Sequence, residues 1–137
     1  MLYAVPGQGE RFYLLLHHRS GGHWGFPKGR IEEEEAEEEA ALREAHEETG
    51  IEKITLVPGF RKVSSYTFMR DKESVAKKVV YLLGRVADRD VVLSKEHTDW
   101  LWLPYAPAWG RLTYKDTREV LCAADRYLSG AKLPQYG

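Results

Sequence analysis

Residues 29–51 read GRIEEEEAEEEAALREAHEETGI. From about Glu35 to Thr49 nearly every residue is a good helix former, and Gly50 stands where a left-handed C-terminal cap belongs, so this run predicts a helix. Acids in its first turns suit the helix dipole. Glu44, Glu47 and Glu48 fall at i, i+3 and i+4, which sets three carboxylates on one face within about one turn. Like charges gathered so closely repel unless something neutralises them. A hard divalent cation does this, and oxygen-only ligands with no nearby Cys favour Mg²⁺ or Mn²⁺ over Zn²⁺. Arg43, four residues before Glu47, is spaced to hold a carboxylate. The plainer reading, a solvated acidic face, is kept for Glu32 to Glu39.

Upstream, Phe12 to His18 (FYLLLHH) is a short apolar run between Gly9 and Ser20-Gly21-Gly22, and it reads as a buried strand. Gly25, Pro27 and Gly29 mark a loop before the helix. Downstream, strand-like stretches occur at Ile54 to Val57, Phe60 to Phe68, Val75 to Val86 and Trp100 to Leu103. A second helix is expected from about Tyr114 to Leu128, where Val120, Leu121, Ala124 and Leu128 recur at near-helical spacing, with Gly130 and Pro134 ending it. Pro107 and Gly110 interrupt the stretch between. The pattern is neither alternating βα units nor all-β, so a mixed sheet with helices packed on it is the natural layer architecture.

The chain has 137 residues, which suits one domain with a real core. Hydrophobic content of 43 % and aromatic content of 12 % exclude a disordered chain. No apolar run approaches the roughly 20 residues that cross a bilayer, and Met1 to Arg11 lacks the basic and apolar regions of a secretory signal. Cys122 is a lone cysteine, so no internal disulfide and no Cys-type zinc cluster is expected, and a reducing, cytoplasmic setting fits. Net charge is −1, which argues against a dedicated nucleic-acid binder, but it is a cancellation. Glu32 to Glu52 holds 11 glutamates against Arg43, a balance of −10, while the remainder carries +9 and offers surfaces for an anion.

Gly29, Glu35 and Arg43-Glu44-Ala45-His46-Glu47-Glu48-Thr49-Gly50-Ile51 together resemble the signature of the Nudix hydrolases, G-x5-E-x7-R-E-U-x-E-E-x-G-U with U aliphatic. All nine constrained positions agree over 23 residues. The resemblance implies an α/β/α sandwich with a mixed sheet, a loop-helix-loop catalytic motif spanning 29–51 within one domain over 1–137, and hydrolysis of a nucleoside diphosphate linked to another group. By position, Glu44, Glu47 and Glu48 are similar to metal ligands or to the group that deprotonates water, with Glu48 the preferred base. The Gly29 carbonyl is similar to a further ligand, and Arg43 and Glu35 to bracing residues.

Other stretches resemble the asymmetrical diadenosine tetraphosphate hydrolases. They are His23-Trp24-Gly25-Phe26-Pro27-Lys28-Gly29, Gly59-Phe60 to Tyr66, Lys77-Lys78-Val79-Val80-Tyr81, Ser94-Lys95-Glu96-His97 with Trp100, and Leu112-Thr113-Tyr114-Lys115. This implies a small-molecule dinucleoside polyphosphate as substrate, an adenine between Tyr66 and Tyr114, and polyphosphate contacts from His23, Lys28 and Lys77. Glu96 is similar to a distal carboxylate that completes the metal site. Lys77 and Lys78 occupy alternating strand faces, so one of the two points at the site. His17, His18 and His97 read as surface or packing residues, Trp100 and Trp102 as core, and Trp24 as either. The sequence departs from the group where Glu33-Glu34 replace the usual Pro-Gly, and where Met1-Leu2-Tyr3 leaves a short first strand. The rival readings are RNA 5′ pyrophosphate removal, nucleoside-diphosphate-sugar cleavage, and a Nudix-fold module that binds a nucleotide without cleaving it. Oligomeric state is left open.

Overall fold

A computed structural model describes residues 1–27 and 36–130, apart from the side chains of Tyr66 and Phe68. The central strand, β2 (Phe12–His18), is the predicted apolar run, and Tyr13, Leu14, Leu15 and Leu16 within it are fully buried. A strand buried on both faces needs no alternation of apolar and polar residues, which explains the unbroken apolar sequence. Strands β1 (Leu2–Ala4) and β3 (Trp24–Gly25) pair antiparallel with one edge of β2, and β8 (His97–Leu103) pairs antiparallel with the other. β7 (Gly84–Arg85) continues the sheet by parallel pairing with β1, and β4 (Thr55–Leu56) closes it antiparallel to β7. The sheet is therefore mixed. A separate two-stranded ribbon is formed by β5 (Lys62–Arg70) and β6 (Glu73–Tyr81).

Side-chain alternation along β1 and β2 divides the core in two. Leu2, Ala4, Leu14 and Leu16 pack with Ala45, Ile51 and Val86 on the face covered by α1 (Glu37–Thr49). Tyr3, Tyr13 and Leu15 face the other way, against Ala108 of α2 (Tyr105–Arg111) and Val120, Leu121 and Ala124 of α3 (Lys115–Gly130). The result is a three-layer α/β/α sandwich. Tyr13 also reaches across to α3, donating from its hydroxyl to Asp125 Oδ1 at 2.6 Å.

α1 ends on the predicted cap, with Gly50 at φ 75° and its N–H donating to the His46 carbonyl at 2.8 Å. Its start has no side-chain cap on Ala36, and Glu37, Glu38 and Glu39 in the first turn supply the favourable charge instead. Three expectations are corrected. The segment holding Pro107 and Gly110 is helical, because Pro107 is the third residue of α2, where the backbone N–H has no intrahelical acceptor to lose. The stretch Val75 to Val86 divides into β6 and β7, which lie in different sheets. Trp102 packs against the α1-side core, whereas Trp100 remains 36 % exposed.

Candidate active site

The acidic face of α1 is organised by Arg43. Its Nη1 donates to Glu44 Oε1 at 3.1 Å and to both carboxylate oxygens of Glu47 at 3.3 Å, the bracing expected from the i, i+4 spacing. Glu48 departs in the other direction. It is buried at 7 % exposure, and its Oε1 lies 3.8 Å from Nε2 of His97 at the start of β8. Within this turn of α1 three carboxylates stand with one guanidinium, and the donors are all oxygen. That donor set fits a hard divalent cation. Among the described residues no three His, Cys, Asp or Glu side chains already form a metal cage. Lys28, Gly29 and Glu35, which belong to the sequence reading, lie outside the described residues.

The first turn of α1 is tied down separately. Arg61, just before β5, donates from Nε and Nη2 to the two oxygens of Glu37, both at 2.7 Å. This bidentate hydrogen bonding holds the Glu37 carboxyl below its usual range and raises the Arg61 guanidinium. Glu38 and Glu39 are exposed, as expected of a solvated face, but Glu37 clamps the acidic helix to the ribbon.

From Glu48 a row of rings runs across the end of the sheet. His97 stands edge-on to His18, with centroids 4.5 Å apart. His18 is stacked on His23 at 4.2 Å and 10°, and His23 lies 5.1 Å from the ring of Tyr114. Backbone pairing sets this order. His18 ends β2 opposite His97. Next to His23, Trp24 of β3 is stitched to the α2–α3 connection, its N–H donating to Thr113 Oγ1 at 2.9 Å and its carbonyl accepting from Thr113 N at 3.4 Å. That stitch brings Tyr114, 52 % exposed, beside His23. His17 faces away from this row, bonding Thr98 Oγ1 at 2.6 Å and the Gly22 carbonyl at 3.1 Å, and its ring packs on Trp24 at 4.9 Å.

On the ribbon, Val79 and Tyr81 point into the core, Tyr81 meeting Phe26 at 6.3 Å. Lys77 shares their face and is half-buried, whereas Lys78 takes the opposite face and is exposed, so strand alternation selects Lys77 for the core side. Tyr66 is paired opposite Lys77 in β5, and its side chain lies outside what the structure describes. Ser64, two residues earlier, donates to Asp116 Oδ2 at 3.4 Å, joining this part of the ribbon to the first turn of α3, next to Tyr114. Glu96 is exposed in the turn before β8, where its carbonyl accepts from Arg19 N at 2.8 Å. It is the adjoining His97 whose ring reaches Glu48. His97 and His18 read from the sequence as surface or packing residues; His97 is buried, and what a histidine at a strand end faces has no local signal.

Residues 2–123 match the NUDIX domain family. The chain is 37 % identical over 121 residues to the asymmetrical bis(5′-nucleosyl)-tetraphosphatase of Sus scrofa, covering 85 % of this chain and 80 % of that protein. It is 31 % identical over 120 residues to the protein of the same name from Caenorhabditis elegans, covering 87 % and 86 %. Its fold is similar to the crystal structure of a C. elegans Ap4A hydrolase binary complex, with a TM-score of 0.79, 28 % identity, and coverage of 94 % and 93 %.

Proposed function

Because the chain belongs to the Nudix family, we propose that it hydrolyses dinucleoside polyphosphates, cleaving diadenosine tetraphosphate with water to ATP and AMP. The observation that carries this reading is the row from Glu48 through His97, His18 and His23 to Tyr114. It links the acidic face of α1, suited to a cation, with the half-exposed ring of Tyr114, suited to stacking on a base. The steps between ring centroids are 4.5, 4.2 and 5.1 Å, so each ring of the row touches the next. The relatives named for asymmetric tetraphosphate cleavage support the choice of substrate.

Each residue then has a task. Tyr114 stacks on one adenine, with Tyr66 opposite, while His23, Lys28 and Lys77 meet phosphate oxygens. Glu44, Glu47 and Glu48, with Glu96 and the Gly29 carbonyl, are the groups that would hold Mg²⁺, or Mn²⁺ in its place. A bound divalent cation neutralises charge on the phosphate oxygens and lowers the pKa of water. Glu48 takes a proton from the attacking water, the new P–O bond forms, and the bridge between the first and second phosphates breaks, leaving AMP and ATP. Arg43 holds Glu44 and Glu47 and offsets part of their charge.

Product analysis on a nucleotide panel in Mg²⁺ tests this. AMP and ATP in equal amounts from diadenosine tetraphosphate are expected. Two ADP, or no cleavage of that substrate beside cleavage of triphosphorylated RNA or a nucleoside-diphosphate sugar, would overturn it.

A further inference from the structure

We propose that His97 is a positioning residue for the acidic helix: its buried ring, anchored through Nδ1 on Ser94, holds the Glu48 carboxylate in the direction that a divalent cation on α1 requires. This rests on the reading of the α1 carboxylates as cation ligands, and extends it to a residue outside the 29–51 motif.

The His97 side chain is fully buried and that of Glu48 is 9 % exposed. A carboxylate so far removed from water is held in place by its neighbours, and a metal ligand must also be held in one orientation to be of use. His97 is well built for this. Its Nδ1 lies 3.1 Å from Ser94 Oγ, and its backbone N–H donates to the Ser94 carbonyl at 3.2 Å, so the turn before β8 ties both the ring and the main chain of His97. The edge-on contact with His18 at 4.5 Å, itself stacked on His23, closes another side. Nδ1 is engaged with Ser94 Oγ, which leaves Nε2 as the ring atom that faces Glu48 Oε1, at 3.8 Å. That separation is too long for a direct hydrogen bond, so the imidazole steers the Glu48 carboxylate by its position beside it.

The two ring nitrogens can be tested apart. Gln at position 97 keeps an amide N–H near the place of Nε2, Asn keeps a polar group near Nδ1 alone, and Leu keeps neither. Mn²⁺ binding to the purified protein, measured by calorimetry without substrate, is expected to weaken about tenfold or more in His97→Asn and His97→Leu, the usual loss when a group supporting a metal ligand is removed. His97→Gln should stay within about threefold of wild type. Kinetics should show the loss in kcat, with KM within about twofold. Should His97→Leu fail to fold, Ser94→Ala, which removes only the anchor, should weaken Mn²⁺ binding by a smaller factor at unchanged thermal midpoint. In a Glu48→Gln background, His97→Asn should have no further effect on Mn²⁺ affinity. Wild-type Mn²⁺ affinity in His97→Asn, equal losses in Asn and Gln, or an undiminished effect of His97→Asn beside Glu48→Gln would each overturn the proposal. Because Mn²⁺ affinity is read without substrate, a wild-type protein that cleaves no dinucleoside polyphosphate would refute the proposed function and leave this comparison intact.

Discussion

Replacing Tyr114 by Ala removes the half-exposed ring beside His23 and nothing that the core depends on. A buried tyrosine accounts for roughly 200 Å². Tyr114 is 52 % exposed, and a base laid on one ring face covers about half of what is open, on the order of 50 Å². At about 25 cal/mol/Å² that burial contributes about 1.3 kcal/mol. Favourable ring geometry adds about 0.5–1.5 kcal/mol, so the sum is about 2–3 kcal/mol, within the range of about 1–3 kcal/mol per stacked base. Tyr114→Ala should therefore raise KM for diadenosine tetraphosphate, and the Kd of a non-hydrolysable analogue, by about 20- to 100-fold. Its kcat should move by less than about threefold, since the ring meets a part of the substrate that does not react and its loss is a loss of uniform binding. Stability should change by no more than about 0.5 kcal/mol, as for other exposed positions. Tyr114→Phe, which keeps the ring and drops the hydroxyl, should behave as wild type. Steady-state kinetics in Mg²⁺ with calorimetry on the analogue separates the terms. An unchanged KM in Tyr114→Ala, or a loss confined to kcat, would refute the stacking role.

Three further outcomes follow from the same geometry. Glu48→Gln should lower turnover by about 10²- to 10⁴-fold while the analogue binds with near wild-type Kd, whereas a nucleotide-binding module would show no turnover in either form. Gly50→Ala places a Cβ at φ 75° and 3.1 Å from Val92 Cβ, which should cost about 1–2 kcal/mol and lower Tm by about 3–8 °C in calorimetry, with the helix retained. Burial, and then the hydrogen bond to Asp125, push the Tyr13 phenol above its ordinary value of 10.0, so the folded state holds this proton more tightly than the unfolded chain. Its stabilisation is complete below that value and is lost as pH rises above it, so urea midpoints should fall more steeply above about pH 10 in wild type than in Tyr13→Phe. Parallel curves would show that the phenol is not linked to folding.

The α1 half of the site was legible because its geometry is local. Helical spacing alone puts Glu44, Glu47 and Glu48 within one turn and Arg43 beside Glu47, and β2 announced itself as an unbroken apolar run. The remainder depends on what the chain meets elsewhere. Two-residue strands such as β3 and β7 exist by virtue of their partners, Leu16 and His17 for the one, Leu2 and Tyr3 for the other, and no periodicity fits into two residues. α2 was hidden because Pro107 breaks a helix in its interior and is harmless in its first turn, and only the position of the helix start distinguishes these. The clamp of Glu37 on Arg61 spans 24 residues and looked like one more solvated acid. Tyr114 and Lys77 came from resemblance, since nothing in their own neighbourhoods distinguishes a base platform or a phosphate contact from an ordinary surface tyrosine or strand lysine.

The place of His97 shows why the rest of the wall had no signature of its own. Along β2 and β8 the pairing is regular from Tyr13↔Leu103 to His17↔Asp99, and another step would set Thr98 opposite His18. The register shifts there, and His97 takes that place instead. Leu14 and Leu16 pair with Trp102 and Trp100 on the face covered by α1, so regular pairing would have aimed a threonine hydroxyl toward Glu48 from the strand end. The irregularity substitutes an imidazole and frees Thr98 to bond His17 at 2.6 Å. Bulges re-aim a side chain in this way, and they arise from the fit of two strands, a property that neither strand carries in its own sequence. One skipped residue thus turns a strand terminus, 49 positions beyond Glu48, into the neighbour of the most buried carboxylate on the acidic helix.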